Sequence, residues 1–203
     1  MAKINLIRSA LIAILVVFGA VFGVTIFQVF SQQAEYAVAR NEYQQLRDVA
    51  GVDEDVVNSP GNIDWDALRE INPNVIGWIT VPETDISYPI VQGTDNAHYL
   101  YHLFSGERHM SGAVFLDYRD NPDFTGQIRI YAHNMFDGSM FAPLYQWRGE
   151  YFVIIRPDNT VLELSVTGSY DAELRYVNRH DGITLVTCVN GRPDLRWVIR
   201  ADN

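Results

Sequence analysis

The sequence predicts a mostly β fold: eight strands closing as a barrel or sandwich with a few short helices, preceded by an N-terminal transmembrane helix. Three observations lead there. An uncharged apolar run lies near the N-terminus, short β-branched and aromatic runs follow at close spacing from Val75 onward, and turn residues separate them.

From Leu11 to Phe30 no residue is charged and most are Leu, Ile, Val, Phe, Ala or Gly. Twenty helical residues span roughly 30 Å, the hydrocarbon thickness of a bilayer. Lys3 and Arg8 precede the run and Glu35 follows it, so the positive-inside rule puts the N-terminus in the cytoplasm and the rest outside. A cleaved signal peptide would have a shorter apolar region and a small-residue cleavage site, and the run continues through Gln28, Val29 and Phe30 without one.

Residues 31–50 are rich in helix formers, without Gly or Pro, and read as a helical stalk. The acidic stretch 51–62, with Gly and Pro, reads as a linker. The expected division is therefore 1–30 as cytoplasmic end and anchor, 31–62 as stalk and linker, and 63–203 as an extracellular domain. Asp64 opens a short helix through Glu70, stopped by Asn72-Pro73. Strands are expected at 75–81, 86–92, 112–119, 127–134, 151–157, 160–168, 182–188 and 195–201, with Asn190-Gly191 a hairpin signal in the last connection. Two stretches, Asn96–Phe104 and Met140–Trp147, read as helical.

A chain of 203 residues that is 48% hydrophobic supports one sizeable core plus an anchor. Its net charge of −10 leaves no basic face to neutralise phosphates, which argues against nucleic acid as a partner. A single cysteine, Cys188, excludes an intramolecular disulfide. In an exported protein such a thiol is either protected or used.

Chemistry is expected at the last hairpin. Cys188 ends one strand and Arg196 begins the next, so the turn brings both to one end of the sheet. A thiol with pKa ~8.5 is only a few per cent thiolate at neutral pH and needs assistance as a nucleophile. A guanidinium stays charged and can stabilise an oxyanion. The third candidate is His133, at a strand end after an apolar run. His98, His102, His109 and His180 lie in helical or loop-like surroundings. His133 is able to protonate a leaving amine and later deprotonate an incoming one. No metal-ligand spacing stands out: Asp117, Asp120, Asp123 and Asp137 are scattered, and Glu83 with Asp85, or 120–123, suggest a weak Ca²⁺ site at most. Neither a phosphate-cradling loop nor a dinucleotide fingerprint is present, so no cofactor is implied.

These residues carry a family likeness. TLVTC, 184–188, resembles the TLxTC signature of sortases, whose Cys is the nucleophile, and RWVI, 196–199, resembles the following strand with its essential Arg. YAHNMFDGSMFAPL, 131–144, resembles the class B segment that carries the catalytic His, and 75–100 and 112–119 also look like class B. The resemblance covers Asp64 to Ala201. It implies an eight-stranded sortase barrel in which Cys188 attacks a Thr carbonyl in a C-terminal sorting motif of a secreted protein. His133 would act as general acid and base, and Arg196 would steady substrate and oxyanion. The thioester would pass to an amine on a cell-wall precursor or a pilin, at a Gram-positive-type surface where residues 11–30 hold the membrane.

Two features depart from class B. About a dozen residues separate the sixth and seventh strands where the family has a long helix-bearing insertion, and Ala132 stands where glycine is usual before the His. The alternatives are a cysteine hydrolase using the same residues, or a non-catalytic or partner-dependent tethered β-domain. Papain-like hydrolases are disfavoured, because they place Cys before His in the chain.

Overall fold

A computed structural model describes residues 2–52, 63–177 and 181–202, with side chains from Ile14 onward. It comprises two compact units, Met1–Val38 and Ala39–Asn203. The first lies within helix α1 (Ala2–Ala50). Phe18, Phe22, Phe27 and Phe30 are all exposed there, an arrangement unfavourable in water and suited to lipid. Among the described residues, α1 is the one helix long and apolar enough to cross a membrane.

The second unit begins inside the stretch expected as stalk. Residues 39–50 of α1 bury Tyr43, Leu46 and Ala50. The Tyr43 hydroxyl donates to the Gly112 carbonyl at 2.8 Å, and Glu42 accepts from the Ser105 N–H at 2.9 Å and from its hydroxyl at 2.8 Å. Arg40 pairs with Asp137 at 2.8 Å. Of the linker expected over 51–62, residues 53–62 lie outside the described residues. Helix α2 (Trp65–Ile71) starts as expected, with the Asp64 carboxylate accepting from the Ala67 N–H at 2.9 Å.

Eight strands follow: β1 (Val75–Thr80), β2 (Ser87–Val91), β3 (Val114–Leu116), β4 (Gln127–Tyr131), β5 (Tyr151–Ile155), β6 (Val161–Glu173), β7 (Gly182–Val189) and β8 (Arg192–Asp202). They close a barrel in the order β1-β2-β3-β4-β7-β8-β6-β5. The expected mostly β, eight-stranded class is what is observed. Closure leaves no strand edge unpaired.

Alternation sorts the side chains into two faces. Ile130, Leu185 and Ile199 are mutual register partners and fill the barrel interior. Tyr131, Val186, Val198 and Tyr170 are partners on the outer face. There Val186 and Val198 pack with Ala172 and the fully buried Val177, against Tyr131 and Tyr170. A second, smaller core thus lies outside the barrel wall.

Two expectations are corrected. No helix forms over 96–104. The Asp95 carboxylate takes the N–H groups of Ala97 and His98 at 2.7 and 2.8 Å, and the Tyr99 and Tyr101 carbonyls accept from Ala113 and His109 at 2.9 Å each. Those bonds satisfy backbone groups that a helix would have used. Over Met140–Trp147 only one 3₁₀ turn appears, Ala142–Tyr145. Strand β6 also runs to Glu173, five residues beyond the expected end, because β8 supplies partners up to Leu195 opposite Glu173.

A buried charged cluster ties β3 to β4. Asp117, fully buried, accepts from Arg119 Nε at 2.9 Å and Nη2 at 2.8 Å, and from Asn96 Nδ2 at 2.9 Å. The Tyr131 hydroxyl donates to it at 3.3 Å. Arg129 bonds Asp120 through its backbone N–H at 2.7 Å and through Nε at 2.9 Å. Burial alone would raise the Asp117 carboxyl, but the Arg119 and Asn96 bonds and the Arg129 charge outweigh it and hold it far below the ordinary carboxylate range. With a folded pKa below the unfolded value, its contribution is fully present above pH ~4 and is lost as pH falls further. Asp117→Asn should cost about 1–3 kcal/mol in urea unfolding at neutral pH, since half-exposed Arg119 loses its charged partner while Arg129 keeps Asp120. The variant should also lose part of the wild-type steepness of stability below pH ~4; an unchanged acid profile would show that Asp117 is not the group responsible.

Candidate active site

Parallel pairing of β4 with β7 matches five residues, from Gln127↔Gly182 to Tyr131↔Val186. Two residues further along each chain come His133 and Cys188. The Ala132 N–H donates to the Val186 carbonyl at 3.3 Å, carrying the alignment one step past β4. On its other side β7 pairs with β8, where Cys188 lies directly opposite Arg196. The two residues expected to share the end of the last hairpin are therefore cross-strand neighbours. Ala172 of β6 stands beyond Arg196 in the same row.

His133 is half-buried, and its Nε2 lies 2.8 Å from the Leu100 carbonyl oxygen. A carbonyl only accepts, so in the neutral ring Nε2 carries the proton and Nδ1 keeps the lone pair. The imidazole is thus held by one nitrogen and free to exchange a proton through the other. The backbone at Leu100 is set by Gly112, whose φ is +56°. A Cβ there would lie 2.7 Å from the Tyr99 oxygen and 2.8 Å from the Leu100 oxygen, so glycine is required twice over.

Asn134 was not among the sequence candidates. Its Nδ2 donates to the Cys188 carbonyl at 2.9 Å, joining the segment that carries the histidine to the backbone of the cysteine. Adjacency to His133 was the only signal in the chain, and a side-chain-to-backbone bond across 54 positions has no sequence period. Arg196 is partly buried, and its Nη1 donates to the Pro193 and Leu195 carbonyls at 3.0 and 2.8 Å. Behind it, Trp197 Nε1 donates to the Leu144 carbonyl at 2.9 Å, and its ring meets Tyr145 edge-on.

Of the other histidines, His98 and His102 stack on each other with ring centroids 4.2 Å apart, and His109 is buried with Nδ1 accepting from the Ser111 N–H at 3.0 Å. His180 lies outside the described residues. Asp120, in the segment 120–123 suggested for Ca²⁺, is paired with Arg129. No group of three potential metal ligands occurs among the described residues.

Gly112→Ala should lower stability by about 2–3 kcal/mol in thermal unfolding, from left-handed strain plus displacement of the Leu100 carbonyl. Gly106→Ala is the control, since its φ is +86° and no atom lies within 4 Å of the added Cβ. Equal losses in the two variants would show that the Leu100 carbonyl does not move. Asn134→Ala should cost about 1 kcal/mol, the ordinary worth of one such bond.

Comparison with known proteins adds the following. A family model of the sortase domain matches residues 79–203. Sortase B of Listeria monocytogenes is 41% identical over 91 residues, covering 44% of this chain and 37% of that protein. Sortase B of Staphylococcus aureus is 25% identical over 150 residues, covering 73% of this chain and 59% of that protein. Both alignments thus span less than two thirds of the relatives' lengths. In three dimensions, the Staphylococcus aureus sortase B–substrate complex superposes with a TM-score of 0.70 at 20% identity, over 83% of this chain and 97% of the other. That last likeness concerns the fold.

Proposed function

This chain belongs to the sortase family, with class B members as its relatives, and from that premise we propose that it is a membrane-anchored cysteine transpeptidase. The reading assigns Cys188 as nucleophile, His133 as general acid and base, and Arg196 as the oxyanion's cation. The observation that carries it is the direct pairing of Cys188 with Arg196 across β7 and β8, next to β4, which ends at Tyr131 two residues before His133.

In the first half-reaction the Cys188 thiol passes its proton to His133 Nδ1, and Sγ attacks the carbonyl carbon of a Thr in the sorting motif of a secreted protein. The C–N bond breaks, and the leaving amine takes a proton from His133. In the second, an acceptor amine attacks the thioester carbonyl, the C–S bond breaks, and the amine's surplus proton returns to His133. Negative charge on the carbonyl oxygen appears in both halves, and the Arg196 guanidinium offsets it. The Leu100 carbonyl at Nε2 supports Nδ1 as the atom that exchanges the proton. Lys3 and Arg8, ahead of the apolar run, support a cytoplasmic N-terminus with the barrel outside. Substrates carried by secreted proteins, and amines on the cell wall or a pilin, fit that side.

The test uses the full chain in detergent micelles with sorting-type peptides of several classes, followed by intact mass. An acyl adduct is expected that is absent in Cys188→Ala. His133→Ala should slow its formation about 10²–10⁴-fold and Arg196→Ala about 10²–10³-fold. Added amine should convert the adduct to amide rather than acid; acid alone would favour a hydrolase. A Cys188 that forms no adduct and also resists a thiol alkylator in the folded protein would sink the catalytic reading.

A further inference from the structure

A carbonyl oxygen fixes the tautomer of an imidazole only while the segment that carries it stays in place, so whatever holds the segments around His133 governs its ring. Two segments meet that residue. The first brings the Leu100 carbonyl to Nε2 at 2.8 Å. The second follows the histidine and folds back on it. There the Phe141 N–H donates to the His133 carbonyl at 2.9 Å, and Asn134 faces Met140 in an isolated antiparallel bridge. Each segment contains a buried residue in the left-handed region, Gly112 at φ +56° and Met140 at φ +58°. For the methionine that backbone is strained and persists only where its surroundings hold it.

One pair of side chains holds both. Tyr43, on α1, donates its hydroxyl to the Gly112 carbonyl at 2.8 Å. Tyr88, on β2, accepts from the Met140 N–H at 3.2 Å. Their rings meet edge to face, with centroids 5.0 Å apart and planes at 80°, so displacing one ring disturbs the other. Both are buried. Burial pushes both phenols above their ordinary range, so each hydroxyl keeps its proton at neutral pH. We propose that Tyr43 and Tyr88 form one positioning element for His133, the first acting through the ring and the second through the backbone. For its effect on rate the inference rests on the transpeptidase reading; its effect on the imidazole stands apart from that reading.

The two routes differ in what they release. A Cβ at Gly112 would lie 2.8 Å from the Leu100 oxygen, so the backbone there leans directly on the atom that meets Nε2. Without the Tyr43 hydroxyl the Gly112 carbonyl is free to turn, and the Leu100 oxygen drifts from the ring. A share of His133 then carries its proton on Nδ1. That form has no lone pair at Nδ1 to receive the thiol proton, so it is idle in the first step. Without the Tyr88 hydroxyl, Met140 relaxes and loosens its bridge to Asn134, whose Nδ2 bonds the Cys188 carbonyl at 2.9 Å. Arg40 with Asp137, and Glu42 with Ser105, brace the same two segments from exposed positions. Exposed ion pairs and hydrogen bonds are worth little beside buried ones, so the tyrosines carry the larger part.

The test removes a hydroxyl and leaves the ring. In the full-length Tyr43→Phe and Tyr88→Phe chains in micelles, kcat for acyl transfer should fall about tenfold each, because a small displacement of an acid–base group is costly in rate. The KM of the sorting-type peptide should stay within about twofold. Asp64→Ala, which removes the N-cap of α2 at a similar loss of stability, should leave kcat unchanged. A merely structural role would not move the tautomer. By NMR of the imidazole nitrogens, with the His133 signals assigned by their absence in His133→Gln, the neutral wild-type ring should carry its proton on Nε2. In Tyr43→Phe it should be a mixture with the Nδ1–H form. Unaltered kcat and tautomer, a fall in kcat no larger than that of Asp64→Ala, or a raised peptide KM with kcat preserved would each overturn the proposal. A tautomer that shifts in Tyr43→Phe, in a protein whose Cys188 yields no acyl adduct, would uphold the positioning and count against the transpeptidase reading alone.

Discussion

Parallel alignment between β4 and β7 spans five matched pairs, and everything near Cys188 depends on its register. A slip by one residue would turn each side chain of β7 to the other face. Val186 would then leave the outer cluster for the barrel interior, and Cys188, two residues on, would turn with it. The register is secured on both faces. Ile130 and Leu185 are buried partners inside, while Tyr131 and Val186 pack against the outer cluster. A parallel pair needs a crossover between its strands; here β5 and β6 occupy that crossover and close the far side of the barrel.

Around that alignment the loops form a chain of supports that ends at the imidazole. The Tyr43 hydroxyl holds the Gly112 carbonyl, Gly112 lies against the Leu100 carbonyl, and the Leu100 oxygen meets His133 Nε2. Residues 39–50 of α1 therefore do more than extend the chain. They anchor the loop that orients the histidine, and Arg40 grips Asp137 in the segment beyond it. On the far side of β4 the Asp117 cluster keeps Tyr131, the last residue of the strand, bonded in place. Buried charge of this kind adds little net stability over an apolar replacement, but it penalises any arrangement that separates its members.

The short connection between β6 and β7 changes the outer face without emptying it. Strand β6 runs on along β8 to Glu173, and Val177 packs with Val186 and Val198. This cluster adjoins the row Cys188, Arg196 and Ala172.

By itself the sequence determined the long apolar helix, the strand count and the last hairpin, and it nominated the candidate trio. Each is written in short-range pattern: twenty uncharged apolar residues, period-two runs between turn residues, and an Asn-Gly turn that puts Cys188 near Arg196. The helix expected over 96–104 failed because its backbone groups find partners at His109 and Ala113, which local propensity does not register. The length of β6 was likewise hidden, since its last residues become strand only where β8 lies alongside. Tertiary structure alone decided that β4, which leads to His133, pairs with β7, which carries Cys188, that Leu100 holds the ring, and that Asn134 reaches the cysteine carbonyl. Those are contacts across 33 to 54 positions of chain, set by barrel closure and the β4–β7 register, and no local pattern encodes them.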